Sequence, residues 1–557
     1  MAASMAVSPN ASSSDALGKA SPHGSLNELS EVYDLEGTEV EEAEAPESKF
    51  SGHTKYDQSN MTRMGKRQEF VRNFRPLSAL SFSILLQATW EFILISNNQG
   101  LINGGLAGLF WSFIWTIIGF MFVILSLAEM ASMAPISGGQ YHWVSEFASP
   151  KYQKALSYVT GWMSVLAWQA GAASGSFLTG TIIQGLISVN NPSYQPKDWE
   201  STLFVFAMVA IIYICNMWAA QGLPMIQNLL VVIHIFGFMA IISVFWVLSP
   251  HQTASAVFTE FRNAGGWPTM GIALMVGQVS AMFCSISADA TAHMAEEVTD
   301  ASRTVPMAIT WGYISNVLLG IVMVVSFLFA LPDVESALED PTGFPFLYAF
   351  RNAVSPAGVN ALTAIILLLV ITSNIAFNAS ASRQAFSFAR DNGLPFAEWL
   401  SAVHPKRHIP ANAILASCII SILLALINLV SGTAYEAIVS LTIAALMATY
   451  IVSIACVLYR RIYHPELLPP ARWNLGSTWG PIINIIALLY VNFAMFWSFW
   501  PQQRNIDATS FNFCIVIFMG VLILSILFYI FQGRKVYTGP VTSVEGRRGS
   551  QGTPNVE

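Results

Sequence analysis

The chain has 557 residues, 54% hydrophobic and only 11% charged, with a net charge of −7. Soluble domains carry about 25% charged residues, so this composition excludes an ordinary soluble protein and identifies an integral membrane protein, for which no nucleic-acid partner is expected. The negative balance comes largely from residues 31–47, which hold eight carboxylates and no Lys or Arg.

That acidic segment follows Ser-rich sequence and is expected to be disordered. A bilayer core about 30 Å thick requires runs of about 20 apolar residues at about 1.5 Å per helical residue. Twelve such runs follow, at 77–99, 104–128, 155–189, 202–220, 225–248, 268–295, 305–331, 359–389, 410–430, 434–459, 479–500 and 511–532. Only helices and closed barrels satisfy backbone polar groups in lipid, and runs this long are helices. The expected architecture is an all-α integral membrane protein. It has a disordered tail over 1–75, a twelve-helix domain over 76–532 and a polar C-terminal tail over 533–557. No apolar signal region lies near Met1, so the first span is expected to direct insertion itself.

Lys and Arg near the span ends divide seventeen on the side of the N-terminus against four opposite. This asymmetry places both termini in the cytoplasm, as an even number of spans requires. All five cysteines lie inside spans, where a thiol behaves as a small apolar group, and suggest no disulfide framework. Of the three Asn-X-Ser/Thr matches, Asn10 and Asn60 lie in the tail and Asn378 in a span, so none predicts glycosylation.

The first span contains "LLQATWEFILIS", residues 85–96, with Glu91 about fourteen residues, or about 21 Å, past its start. A charge at bilayer depth costs roughly 2.5 to 3.5 kcal/mol on insertion scales, which marks Glu91 as a cavity group or one member of a buried pair. Glu129 ends the second span and suits a structural or gating role. The third span, "GWMSVLAWQAGAASGSFLTG", places Gly171 and Gly175 four apart for close helix packing, with Trp168 and Gln169 as cavity candidates. His234 is alone in the fifth span, in "LLVVIHIFGF"; a satisfied core histidine and a proton-coupling group are both open readings.

The sixth span, "SAMFCSISADATAHMAEEV", holds Asp289 and a centre of small and polar residues that cannot all avoid lipid on a regular helix. Transporters present backbone groups at the midplane through such interrupted helices, at matching positions of two inverted repeats. With spans 1–5 (about 77–248) and 6–10 (about 268–459) as repeats and 479–532 as added helices, "QATWE" and "CSISADA" correspond. Freed amides there can bind a carboxylate and freed carbonyls a cation.

Three blocks carry a family resemblance. "LAEMASMAPISGGQYHWVSEFASPKY" (127–152) resembles the second-span exit of the amino acid–polyamine–organocation superfamily. "AEEVTDASRTVPMAI" (295–309) resembles its sixth-span exit and "SFARDNGLP" (387–395) its loop after the eighth span. The similarity covers about residues 70–530 and is greatest to the fungal amino acid/choline branch, which includes permeases for choline and γ-aminobutyric acid (GABA).

The resemblance implies a core of two inverted five-helix repeats plus two helices, and alternating access around a central site. Carried over by position, the breaks fall near Thr89, Trp90 and Glu91 and near Ser285, Ile286, Ser287 and Ala288. Gly138, Gly139 and Glu296 take loop-geometry and gating roles, although a tight turn after Pro135 and a solvated carboxylate near Arg303 are the plainer readings. The first break lacks the superfamily's glycines, which turns the expected ligand from a carboxylate end toward an amine. An anion in a cavity favours a cation, and Trp90, Phe283 and Trp168 offer aromatic faces worth about 0.5 to 2 kcal/mol each to one.

The expected substrate site is therefore Thr89, Trp90, Glu91, Trp168, Phe283, Ser285 and Ser287, with His234 and Asp289 as coupling candidates. The expected function is import of a small amine, choline, GABA or an amino acid, by proton symport, with the plasma membrane as the expected compartment and a vacuolar or other internal membrane as the alternative. A uniporter, an exchanger or a nutrient receptor retaining the fold fits the same residues. No span holds a metal-spaced His/Asp cluster or a nucleophile beside a base, so neither catalysis, a metal nor a cofactor is expected. No ring or filter signature of a channel is present.

Overall fold

The computed structural model describes residues 53–429, 434–506 and 511–540, and among these the fold is all helical. Eleven helices are long and apolar enough to cross a membrane, from Pro76–Ile95 to Cys514–Val536. The interrupted apolar helix Met270–Phe283 is the sixth span and completes twelve. Observed boundaries follow the apolar runs within a few residues, as at Gln153–Asn190 and Leu223–Leu248. The acidic run 31–47 and residues 541–557 lie outside the described residues.

Two spans are broken in the same manner. The first runs Pro76–Gln87, turns at Ala88 with φ 42° and ψ 44°, and resumes at Thr89–Ile95. The sixth ends its outer half at Phe283, passes through Ser287 at φ 72°, and resumes at Ala290–His293. Left-handed backbone costs an L-residue about 1–2 kcal/mol, so each break persists because its surroundings hold it. They occupy corresponding elements of the two five-helix repeats, as the sixth-span composition anticipates.

Side chains from other spans satisfy the freed backbone. Asn316 of the seventh span (Ala301–Ala330) accepts from the Thr89 N–H at 3.2 Å and donates to the Ile84 carbonyl at 3.2 Å. Ser373 of the eighth span (Pro356–Arg390) donates to the Leu86 carbonyl at 2.7 Å. The Thr89 hydroxyl donates to the Cys284 carbonyl at 2.9 Å and ties the two breaks together. The third span meets the eighth closely, because a Cβ on Gly171 would lie 2.4 Å from Phe377 and one on Gly175 2.6 Å from Asn374.

One expectation needs correction. Residues 53–75, assigned by composition to the disordered tail, are folded. Lys55–Arg63 is a helix with a Thr54/Asp57 capping box, and Met61, Met64, Phe70, Arg72 and Phe74 are buried. Asp57 accepts from the Asp300 and Ala301 amides at 2.9 and 3.0 Å, capping the seventh span, and lies 3.3 Å from Arg72. Charge in this segment reads as solvated until its partners are seen. At the other end, Tyr537 of the C-terminal tail is buried against Tyr158 and Phe388. The face carrying residues 53–75 is the N-terminal face below, and the opposite one the far face.

Candidate substrate pathway

The far face opens into a vestibule of about 290 Å³, bounded by the outer half of the first span at Ile95 and Ser96, the third span at Phe177 and Gln184, and the tenth at Tyr435 and Glu436. At its floor the Phe177 and Tyr435 rings lie 6.1 Å apart, and Ser96 and Tyr435 join hydroxyls at 3.3 Å. Deeper lies a central cavity of about 20 Å³, with room for roughly one water. Phe92, Phe283 and Phe377 line it with Ser174, Ser373, Asn374, Gly171 and Gly175. The Phe92 and Phe283 rings meet edge to face at 5.3 Å, which contracts the cavity.

Toward the N-terminal face the path is shut by buried polar contacts. Asp289 accepts from Tyr450 at 2.6 Å and from Gln140, with His293 3.9 Å away. His293 is held by the Ser137 carbonyl at 2.9 Å, and its ring meets Trp168 edge on at 4.8 Å. Trp168 also lies 4.8 Å from Phe377, a wall of the central cavity, so a continuous set of rings joins that cavity to this seal. Gly139 sits at φ 55° where a Cβ would meet His293 at 2.7 Å.

Below this, Arg390 donates twice to Glu296, at 2.8 and 3.0 Å, and Arg383 donates to Glu297 at 2.8 Å. Burial pushes the Glu296 carboxyl up, but Arg390, Arg72 and the Ser137 amide more than reverse this and hold it below the ordinary range. Lys66 pairs with Asp391, which also accepts from Tyr141 at 2.9 Å. Residues 53–75 thus complete the seal. Glu129 pairs with Arg461 and accepts from the Leu475 amide at 2.9 Å, fixing the loop after the tenth span.

The predicted site residues divide into separate groups. Phe283 lines the central cavity, Thr89 joins the two breaks, and Trp168 lies one ring behind the cavity wall. Ser285, in the break, donates back to the Ala281 carbonyl of the preceding helix at 2.9 Å, and the Ser287 hydroxyl is buried without a partner among the described residues. Trp90 and Glu91 line neither cavity: both turn to the fifth span. Glu91 Oε1 lies 2.7 Å from His234 Nδ1, and the Trp90 indole N–H lies 3.1 Å from the same nitrogen. All three are fully buried.

Glu91 stands in a buried pair with His234 and apart from both cavities. Asn316 and Ser373, which hold the breaks, went unsingled in the sequence. Their only signal is a polar side chain inside an apolar run, as in "YISNVLLG".

Comparison with known proteins agrees with this architecture. The description of amino acid permeases matches residues 74–523. The chain is 28% identical over 474 residues to a choline transporter of Saccharomyces cerevisiae, covering 84% of this chain and 82% of that one. It is 25% identical over 498 residues to the GABA-specific permease of the same yeast, with 88% and 86% covered. To amino-acid permease 2 of Neurospora crassa it is 26% identical over 491 residues, with 86% and 88% covered. A crystal structure of a manganese transporter variant from Eremococcus coleocola shares the fold, with TM-score 0.51 at 11% identity over 90% of this chain and 98% of that one.

Proposed function

The chain belongs to the amino acid permease family, and from that premise we propose that it imports a small amine or amino acid by alternating access, driven by an inward proton gradient. The observation that carries this reading is the asymmetry of the path. An open vestibule on the far face leads to two facing helix breaks, and the N-terminal face beyond them is shut by buried ion pairs. Inverted repeats that rock about such a midplane site give each face access in turn. Both termini lie in the cytoplasm and the far face outside, in keeping with the Lys/Arg asymmetry. The plasma membrane is the compartment this orientation suits.

Substrate enters the vestibule, passes the Phe177/Tyr435 constriction and occupies the central cavity, which expands as the Phe92 and Phe283 rings part. Aromatic walls with Ser373 and Asn374 suit a small amine. A choline transporter and a GABA permease among the similar proteins support the same class.

The coupling proton belongs to Glu91 and His234. An ionised Glu91 requires Nδ1–H on the imidazole, whereas the Trp90 N–H requires an Nδ1 lone pair. One nitrogen cannot serve both at once, so proton exchange at the Glu91–His234 pair decides whether the Trp90 N–H finds an acceptor. Because Thr89, Trp90 and Glu91 form the first turn beyond the Ala88 break, that exchange acts on the element that must move.

The test is uptake by purified protein in lipid vesicles. Labelled choline, GABA and several amino acids are compared with and without an inward proton gradient. Gradient-dependent accumulation of at least one of them is expected. Equal filling with and without the gradient would remove the proton from the mechanism.

A further inference from the structure

The outer vestibule is a cavity distinct from the central one, and its lining is not explained by the central site. Its wall carries carboxylates and amide oxygens but no cationic side chain among the described residues. Gln99 commits its amide N–H to the Val276 carbonyl at 3.0 Å and Gln184 to the Lys197 carbonyl at 3.0 Å. Asn428 does the same to the Asp198 carbonyl at 3.1 Å. Their amide oxygens remain as acceptors. Among the described residues lining the cavity there are two carboxylates, Glu436 and Asp198, and no Lys, Arg or His.

Two further atoms have no use within the fold. Glu436 stands in the first turn of the tenth span, and its Oε2 is enclosed without a hydrogen-bond partner among the described residues. Ser201, 3% exposed and lining the same cavity, has an unpartnered hydroxyl. A carboxylate oxygen out of water and without a donor costs more than one that is met. Beside it Tyr435 and Phe177 present rings to the vestibule floor.

We propose that the vestibule is a recruitment subsite for organic monocations. Glu436 supplies the charge, Tyr435 and Phe177 the aromatic faces, and the wall amides acceptor oxygens, so that a primary or quaternary ammonium group halts here before passing the constriction. A wall with two carboxylates and no cationic side chain disfavours anions, so selection for an ammonium group is made at entry. The central cavity then discriminates by size. This deepens the proposed function, since it rests on the reading that the solute is an amine. It adds to that reading a carboxylate that meets the ammonium group, Glu436 of the tenth span, whereas Glu91 of the first carries the coupling proton.

The experiment uses the full chain in vesicles with labelled choline or whichever labelled amine it accumulates. It also measures tetramethylammonium binding to the detergent-purified protein by calorimetry. E436Q keeps the shape and removes the charge, and E436D keeps the charge on a shorter arm. Loss of a charge-assisted contact predicts a KM about tenfold higher in E436Q at unchanged maximal rate, with E436D within about threefold of wild type. Tetramethylammonium binding should weaken by a similar factor.

An unchanged KM in E436Q, or a lower maximal rate at constant KM, would overturn the subsite while leaving transport in place. If the wild type moves none of the labelled amines, the transport reading falls. The binding arm then decides the vestibule alone: tetramethylammonium bound by wild type and lost in E436Q upholds it, and equal binding by both refutes it.

Discussion

His234 Nδ1 is 2.7 Å from Glu91 Oε1 and 3.1 Å from the Trp90 indole nitrogen, so one ring nitrogen faces two groups that require opposite protonation of it. Both residues stand in spans otherwise poor in charge, and a buried pair of this kind is worth keeping where the proton itself is cargo. Glu91→Gln preserves the shape but holds no mobile proton. One coupled proton sustains about tenfold accumulation per unit of pH difference, equivalent to about 1.4 kcal/mol. Gradient-driven accumulation by Glu91→Gln and His234→Gln is therefore expected to fall to the equilibrium level. Exchange of labelled for unlabelled substrate without a gradient should stay within about threefold. Full accumulation by Glu91→Gln would sink the coupling assignment.

Arg390 and Glu296 form a bidentate ion pair on the N-terminal face in which the carboxylate is fully buried, with Glu296 also close to the Ser137 amide and its own carbonyl taken by Gln68 at 2.6 Å. Removing one partner leaves the other charge buried, which costs about 3–5 kcal/mol. Glu296→Gln is therefore expected to loosen the seal: amide hydrogens of residues 55–75 exchange faster and maximal uptake falls. The exposed pair Arg262–Glu335, 3.2 Å apart on the far face, makes a control, because such pairs are worth about 1 kcal/mol or less. Glu335→Gln should leave both readouts in place. Equal exchange in Glu296→Gln and wild type would remove Glu296 from the closure.

Most of the helical architecture is legible in the chain because apolar run length and the bilayer set each other. The sixth-span interruption is legible too, since "CSISADA" cannot hide its polar groups on one face. The first break is harder to see, because the residue that adopts the left-handed turn is Ala88 and its support comes from Asn316 and Ser373, more than 200 residues away. The same holds for Glu91 and His234. Each stands out in its own span, but their pairing crosses 143 residues and nothing local announces it. Residues 53–75 mislead for the opposite reason. Asp57, Lys66 and Arg72 make the segment look solvated, and it is folded only because Asp300, Asp391 and the carbonyls of Ala295 and Val298 receive those groups.

Gly139 allows a direct test of how the loop after the second span sets the seal. Its backbone, at φ 55° and ψ −127°, disfavours any side chain by about 1–3 kcal/mol, and a Cβ would also strike the His293 ring. Gly343 on the far face has a similar positive φ of 75° with nothing within 4 Å of an added Cβ. Gly343→Ala should therefore cost only the backbone term of about 1–2 kcal/mol. Gly139→Ala should melt at a lower temperature than Gly343→Ala and should also lose uptake, since His293 touches Trp168 and stands beside Asp289. Equal melting temperatures in the two variants would show that His293 yields without cost.

His142 makes the closure of the N-terminal face depend on pH. It is buried on the loop helix Gln140–Phe147, 3.7 Å from Glu146 Oε2. Burial first, and then the charges of Lys66, Arg63 and Arg390, hold its pKa well below the ordinary histidine value. A base whose pKa is lowered in the closed form binds fewer protons there than when it is released to water, where it titrates near 6.5. Its contribution to closure is thus complete above about pH 6.5 and is lost as pH falls below it, by up to about 1.4 kcal/mol per unit. Glu296, with its carboxyl held low, acts in the same direction only at pH below the ordinary carboxylate range. Glu69, whose carboxyl burial pushes up, acts in the opposite direction around that range. His53, whose pKa burial and then Arg72 lower from the ordinary value, adds to the loss with the same sign between pH 7.5 and 5.5. Hydrogen exchange of residues 55–75, normalised to intrinsic rates, should lose roughly tenfold in protection over that interval in wild type. In His142→Gln the loss should be smaller, and an equal loss in both proteins would assign the pH dependence elsewhere.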